Sequence, residues 1–261
     1  MRYLRLYLYF LRFSFSKAME FRVDFFFRIA MDCVYYAVQL GFFTLIYNHT
    51  TMLGGWELWQ IYIFITGAML VDALQMTFVA NNLWYLPDLI NKGDLDYYLV
   101  RPVSSLFFLS LREFAANSFL NLLIAAGLSA WAIGRAPQPM GAVEIAFYIV
   151  FLLLGSFIFY LLRMLFLIPV FWTHSGRGFE EIVWSLSRLG DQPHQIYAEW
   201  LKRALLTVLP LGLMASVPAH ALFSGEVWRA LAHVTVVAAV LFAVVALFWR
   251  SGLRAYSSAS S

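Results

Sequence analysis

Apolar runs of about 20 residues recur along this chain, each long enough as a helix to cross the roughly 30 Å hydrocarbon core of a bilayer. Of the 261 residues, 62% are hydrophobic and 13% charged, whereas a soluble domain carries about 25% charged side chains. With so little polar surface, lipid must be the solvent. The chain therefore reads as an all-α polytopic membrane protein. Trp56, Trp59, Trp131 and Trp228 stand near run ends, where amphipathic rings settle at headgroup level.

The pattern predicts simple spans at about 24–46, 60–81, 107–133, 143–171 and 227–249. A sixth, interrupted span is expected inside 175–224, where Glu180, Glu181, Arg188, Asp191, Pro193, Lys202, Arg203, Pro210 and Pro218 break up apolar stretches. Irregular backbone at membrane depth is tolerated only against protein or a water-filled cavity. The interval should therefore face inward, as one broken span with re-entrant helices before the last span. Residues 1–22 mix Arg2, Arg5, Arg12, Lys17 and Arg22 with Tyr, Leu and Phe. They predict an amphipathic interface helix lying along the inner membrane surface, its cations snorkelling to water. Charges interrupt this segment and no small-residue cleavage site follows, so it does not read as a signal peptide. The whole chain, 1–261, is expected to be one membrane domain, and no solenoid or inverted repeat stands out.

The distribution of cations sets an orientation. The 47–58 loop has no Lys or Arg and the 134–142 loop has only Arg135, while Lys92, Arg101, Arg177, Arg250 and Arg254 share the other side with the basic N-terminal segment. That side is expected to be the cytosol, with both termini there and the tail 250–261 beyond the last span. The net charge of +3 suits anchoring to anionic lipid. No loop interleaves a basic cluster with aromatics, so nucleic acid is not an expected partner. Cys33 is the only cysteine, which excludes an intrachain disulfide or thiolate metal cluster.

The loop YLPDLINKGDLDYYLVRPVSS at 85–105 is the most informative stretch. Pro87 suits a first helical position, Asp88 suits the positive helix start, and Gly93 suits a left-handed stop. These features predict a short helix at about 87–92. Leu89, Ile90, Leu95 and Leu99 would form an apolar knob, rimmed by Asp88, Asp94, Asp96 and Arg101, before Pro102 ends the segment. Such a helix can rest on lipid headgroups, or it can seat in a groove on a soluble partner.

Together with the basic amphipathic start, the G-D-L-D-x-x-L-x-R-P-V stretch at Gly93–Val103, the F-W-T segment at Phe171–Thr173 and the proline-broken region before the last span, this loop resembles a known family. The family is that of the membrane subunits of type-2 ABC exporters, particularly the small six-span permeases grouped with viologen-type and uncharacterised drug exporters. The resemblance implies that 87–102 is the coupling helix that meets separate ABC ATPase subunits, with 1–22 beside it. It also implies that 175–224 holds re-entrant helices closing the outer side of the path, and that two permeases, identical or related, line that path. No G-x-x-x-x-G-K-[ST] stretch occurs, so the chain has no phosphate-cradling loop of that kind and is not expected to be an enzyme. It would bind no cofactor itself, and ATP and Mg would belong to the partner ATPase.

Ionisable residues inside predicted spans are costly and mark functional candidates. Asp24, Arg28 and Asp32 lie four apart on one helical face and read as an ion-pair stripe. Arg112, Glu113 and Arg163 are expected to snorkel or pair near cytosolic span ends. Asp72 has no cation within a helical turn, which leaves an inter-helix bond or a pathway or proton role open. Glu180 and Glu181 suit the start of the broken span. The five histidines show no metal-ligand spacing, and T-H-S-G at Thr173–Gly176 lacks the first glycine of an intramembrane serine protease motif.

The leading expectation is thus an ATP-driven exporter permease in the cell's inner membrane, moving an amphiphilic, cationic or lipid-like substrate. A non-ABC carrier or channel using Asp72 is the alternative. An intramembrane enzyme lacks a paired catalytic constellation.

Overall fold

The structure is a computed structural model that describes residues 7–10, 12, 14, 22–175 and 177–256, without the side chains of 22–25, 117, 177, 179 and 180. The interface helix expected at 1–22 lies almost wholly outside the described residues, as does the side chain of Asp24. Among the described residues the chain is helical throughout, and its only extended pairing is a single bridge between Leu53 and Trp56.

Four helices are long and apolar enough to cross a membrane: α1 (Arg22–Tyr47, apolar from Phe26), α2 (Leu58–Phe78), α7 (Ala142–Leu167, running on through a turn to Thr173) and α12 (Val227–Ala255). After α2 come α3 (Ala80–Asn91), α4 (Asp96–Leu99), α5 (Ser105–Leu111) and α6 (Ala116–Ile133). The run expected as one span at 107–133 is therefore two helices, broken at 112–115 where Arg112 and Glu113 interrupt the apolar sequence. The remaining helices are α8 (Val170–Thr173), α9 (Arg177–Ser187), α10 (Glu199–Thr207) and α11 (Ser216–Ser224), with three-residue turns of tighter helix at 188–190, 194–196 and 211–213. Proline placement explains much of this: Pro193 and Pro210 immediately precede two of those turns, and neither can donate a helical hydrogen bond.

Helix α2 is the centre of the bundle. It packs against α6 along most of its length and also meets α1, α7 and α11. Eleven of its residues are buried, and Thr66, Gln75 and Thr77 are buried polar groups on it. In lipid, where apolar contact gives little selectivity between helices, such groups and small residues decide which helices meet. Gln75 Nε2 donates to the Ser156 carbonyl (2.6 Å) and hydroxyl (2.9 Å) of α7. The Tyr148 hydroxyl of α7 donates to the Ile63 carbonyl (2.9 Å), and Thr44 of α1 bonds the Tyr62 hydroxyl (2.9 Å).

Two ends can be distinguished. At one, Trp56 packs edge-on against Phe64 and Phe223, and the Tyr47 hydroxyl donates to the Trp56 carbonyl (2.6 Å). At the other, Leu83, Leu86, Ile90, Leu95, Phe171 and Trp249 form one buried cluster. The α7–α8 run has 32 residues and α12 has 29, or about 48 and 44 Å at 1.5 Å per residue. Both exceed the hydrocarbon thickness, which allows them to cross with tilt or to extend beyond it.

The broken segment runs between these ends. Its start lies beside the 85–105 loop, since Asn91 donates to the His174 carbonyl (3.0 Å). Further on, a side chain at Gly54 would meet Ile196, at the Trp56 end. Helix α9 packs on α7, while α11 packs on α2 and α7. Gly155 permits the α7 contact: a Cβ there would lie 2.6 Å from the Met214 carbonyl oxygen.

Candidate functional site: a cavity at Asp72 and a loop at one end

A cavity of about 480 Å³ opens between α1, α2, α7 and the broken segment. Aromatic and methionine side chains line it, among them Phe43, Phe64, Phe159, Trp184 and Met69, and its polar walls come from Gln39, Asp72, Arg188 and Asp191. The broken segment is part of the wall because its charged residues need an aqueous or protein-lined face. The arrangement offers an apolar body of contact with a few acceptors and one cation, which suits an amphiphile rather than a bare ion.

Asp72 is half-buried on that wall. The cationic charge acting on it is that of Arg163, and the carboxylates of Asp32 and Asp191 act on it as well. Arg163, which the sequence leaves to snorkel or to pair, is withdrawn into the bundle. It is 7% exposed on α7, with its guanidinium 6.0 Å from the Trp184 ring centre of α9. The helical run continues for ten residues past Arg163 to Thr173. Arg28 acts electrostatically on Asp32. Glu181 is exposed on α9, and the side chain of Glu180 lies outside the described residues.

In the 85–105 loop the structure corrects the expected geometry. The helix does not begin at Pro87. It begins at Ala80, almost continuous with α2 through a distorted Val79 (φ −124°, ψ −46°), and Pro87 sits buried inside it. The only helical bond Pro87 forfeits is one to the Leu83 carbonyl, and the turn is supported from both sides by packing. The helix ends at Lys92, after which Gly93 has φ 78°, a conformation that costs a residue with a Cβ.

The apolar knob is also rearranged. Ile90 and Leu95 face the protein, at 4% and 0% exposure, and Leu89 is half-buried against the same cluster. Leu99 is only partly outward. The most exposed apolar groups are instead Tyr97 (71%) and Val100 (81%), with Tyr85 exposed as well. Periodicity misplaced the outward face because both faces of the segment are apolar, and only the neighbouring helices decide which is covered. The polar rim is as follows. Asp88 and Lys92 are exposed and 4.0 Å apart, Asp94 and Asp96 are half-buried, and Arg101 and Pro102 are exposed.

Several contacts fix this loop to the bundle. Arg101 lies over the Phe108 ring (4.8 Å), Arg112 lies over Tyr98 (4.8 Å) and donates to its hydroxyl, and Trp249 donates to Ser105 Oγ (3.2 Å). Phe171 stacks edge-on with Trp249 and Tyr256. Burial, reinforced by the Asp96 carboxylate, pushes the Tyr256 phenol above its ordinary pKa, so it stays protonated at neutral pH. Gly252 is required for this closeness, since a Cβ there would meet Phe171 at 2.5 Å.

A helical bundle with four crossing-length apolar helices, a broken helix walling an internal cavity and a structured loop at one end defines a polytopic membrane protein of the transporter class. The sequence matches the family described as ABC-2 family transporter protein over residues 33–260, and the chain belongs to that family. It is a membrane permease, the transport subunit and not itself the ATPase. No curated protein and no solved structure matches the chain.

Proposed function

We propose that this chain forms the translocation path of an ATP-driven exporter, that its 85–105 loop receives a separate ATPase, and that the cavity at Asp72 holds the cargo. The observation that carries the reading is the division of the loop's apolar residues. Ile90 and Leu95 anchor it in the bundle, while Tyr97 and Val100 point outward beside the Asp88 and Lys92 rim. A helix lying on lipid would turn its larger apolar face outward. Here Ile90 and Leu95 turn inward, and the outward groups are mainly aromatic and interleaved with exposed charges, as a partner's groove requires.

Family membership supports an ABC ATPase as that partner. ATP and Mg are held there, and closure of the ATPases moves the docked loops and shifts the spans between inward-open and outward-open arrangements. The loop end is then cytosolic, both termini lie in the cytosol, and the membrane is the inner membrane. The cargo is amphiphilic, cationic or lipid-like, in keeping with the aromatic cavity and its carboxylates. A second permease, identical or related, completes the path. Helices α1 and α12 bury little of their surface within one chain, which leaves faces for that subunit and for lipid.

Co-expression with a Walker-motif ATPase from the same gene neighbourhood, followed by purification in detergent, tests the reading. Retention of the ATPase by the unsubstituted chain and its loss in Tyr97→Glu/Val100→Asp is expected. A chain that never retains an ATPase, and whose transport follows a proton gradient and vanishes in Asp72→Asn, is an ion-coupled carrier instead.

A further inference from the structure

The break at 112–115 is not a loose loop. Phe114 and Ala115 are buried, yet the backbone there has left the helical ladder, so its N–H groups need partners from elsewhere. Each of three consecutive N–H groups finds one on a different element. Glu113 donates to Asn82 Oδ1 of α3 (2.8 Å), Phe114 donates to Ser14 Oγ in the N-terminal segment (3.2 Å), and Ala115 donates to the Thr77 carbonyl of α2 (2.9 Å). Asn82 completes the exchange, since its Nδ2 donates to the Glu113 carbonyl (2.7 Å) and to the Phe78 carbonyl (3.2 Å). The residue is 1% exposed, and its carboxamide engages both backbone groups of Glu113 as a neighbouring strand would. At the first residue of the break, Arg112 holds Tyr98 of the 85–105 loop.

We propose that Asn82 is a positioning residue for transport, and that the 112–115 break is the junction through which motion of the 85–105 loop reaches α6. Asn82 sits on α3, which leads directly into that loop, and its carboxamide grips the first residues ahead of α6. Arg112 grips the loop from the other side of the break. A displacement of the loop cannot occur without pulling on the start of α6, whereas an uninterrupted helix from 105 to 133 would have to tilt as one rod. The inference rests on the ATPase-docking reading of the loop.

The test uses the permease–ATPase complex in nanodiscs, in a Cys33→Ser background. Nitroxide pairs report the loop (Tyr85→Cys with Val150→Cys) and α6 (Leu123→Cys with Val150→Cys), all at exposed positions. Distances are compared without nucleotide and with ATP and Mg. In the unsubstituted junction both pairs shift, the α6 pair by about 2 Å, the scale of helix displacements in switching proteins. Asn82→Leu abolishes the α6 shift while the loop shift and the bound ATPase remain. Should that variant fail to fold, Asn82→Asp keeps the size and the acceptor but loses both donations, and it reduces the α6 shift by at least half. An α6 shift preserved in a folded Asn82 variant overturns the inference alone, as does a loop shift without an α6 shift in the unsubstituted junction. A chain that retains no ATPase overturns the exporter reading and this inference with it.

Discussion

At 112–115 the chain leaves its helix and borrows hydrogen-bond partners from three other elements, whereas between 188 and 215 it leaves its helix and largely supplies its own. In the second region Asp191, Ile196, Leu213 and Met214 each donate to a carbonyl three residues back, and the Tyr197 hydroxyl donates to the Leu189 carbonyl (3.1 Å). His194 is the exception, turning to Ser216 at the start of α11, its N–H 3.1 Å and its Nδ1 2.6 Å from the hydroxyl. The same physical demand, that no buried peptide group go unpaired, is met by anchoring in one case and by self-sufficiency in the other. A self-satisfied segment can shift as a unit against its neighbours, as the wall of a cavity must. An anchored break cannot move unless the elements holding it move too.

The comparison breaks most visibly at Asn82. Replacing it by Leu leaves the half-buried Glu113 N–H and C=O without their partners, at up to about 1–3 kcal/mol for each. A fall in stability of several kcal/mol is therefore expected by denaturant titration in detergent. A loss below about 0.5 kcal/mol, the range of surface substitutions, would mean that the junction is not anchored as described. The other region packs most closely on Gly155 of α7, where a new Cβ would come within 2.6 Å of the Met214 carbonyl oxygen. Gly155→Ala should cost about 1–3 kcal/mol by overpacking and lower the melting temperature. Movement of 213–215 away from α7 would follow, measurable as a larger cavity by accessibility labelling.

Much of this architecture was legible in the sequence, and the failures have physical causes. Hydropathy finds α1 and α2 equally well, at 1.5 and 1.6 on the same scale, yet 11% of one and 61% of the other is buried. In lipid an outward helix and a central one carry the same apolar residues, so composition cannot rank them. Asp72 stood out because a carboxylate in a span is costly, and Gly93 because a left-handed turn favours glycine. Asn82 gave no such signal, since an uncharged amide in an apolar stretch is tolerated. Arg112 and Glu113 were visible as charges but read as a span end, because the partners that let a helix break there are remote in sequence, at 14, 77 and 82.

A smaller effect is expected at Ser216. Its replacement by Ala strands the His194 N–H and changes the partner of Nδ1, at roughly 1–3 kcal/mol, with His194 7% exposed. Ser216 Oγ also donates to Gln195 Oε1 (3.4 Å), so the substitution removes that bond too, while the neighbouring turns keep the cost confined to the broken segment. Hydrogen exchange should quicken at 194–197 and stay unchanged at 113–115. Equal acceleration at both sites would show that the two breaks are one cooperative unit and that the contrast between them is false.

The smallest effect on stability is expected where the functional effect should be greatest. Tyr97 and Val100 are 71% and 81% exposed, so Tyr97→Ala and Val100→Ala should each change stability by no more than about 0.5 kcal/mol. Buried neighbours such as Leu95 hold the loop in place without them. If the loop docks an ATPase, these substitutions should weaken its retention at least tenfold while leaving the melting temperature of the permease alone unaltered. Leu95→Ala should do the reverse in order, lowering stability by about 2–5 kcal/mol through the cavity it leaves and loosening the ATPase only as a consequence. Should Tyr97→Ala destabilise the isolated permease as much as Leu95→Ala does, the outward patch belongs to the bundle's own packing, and the division between anchoring and presenting residues on this loop does not hold.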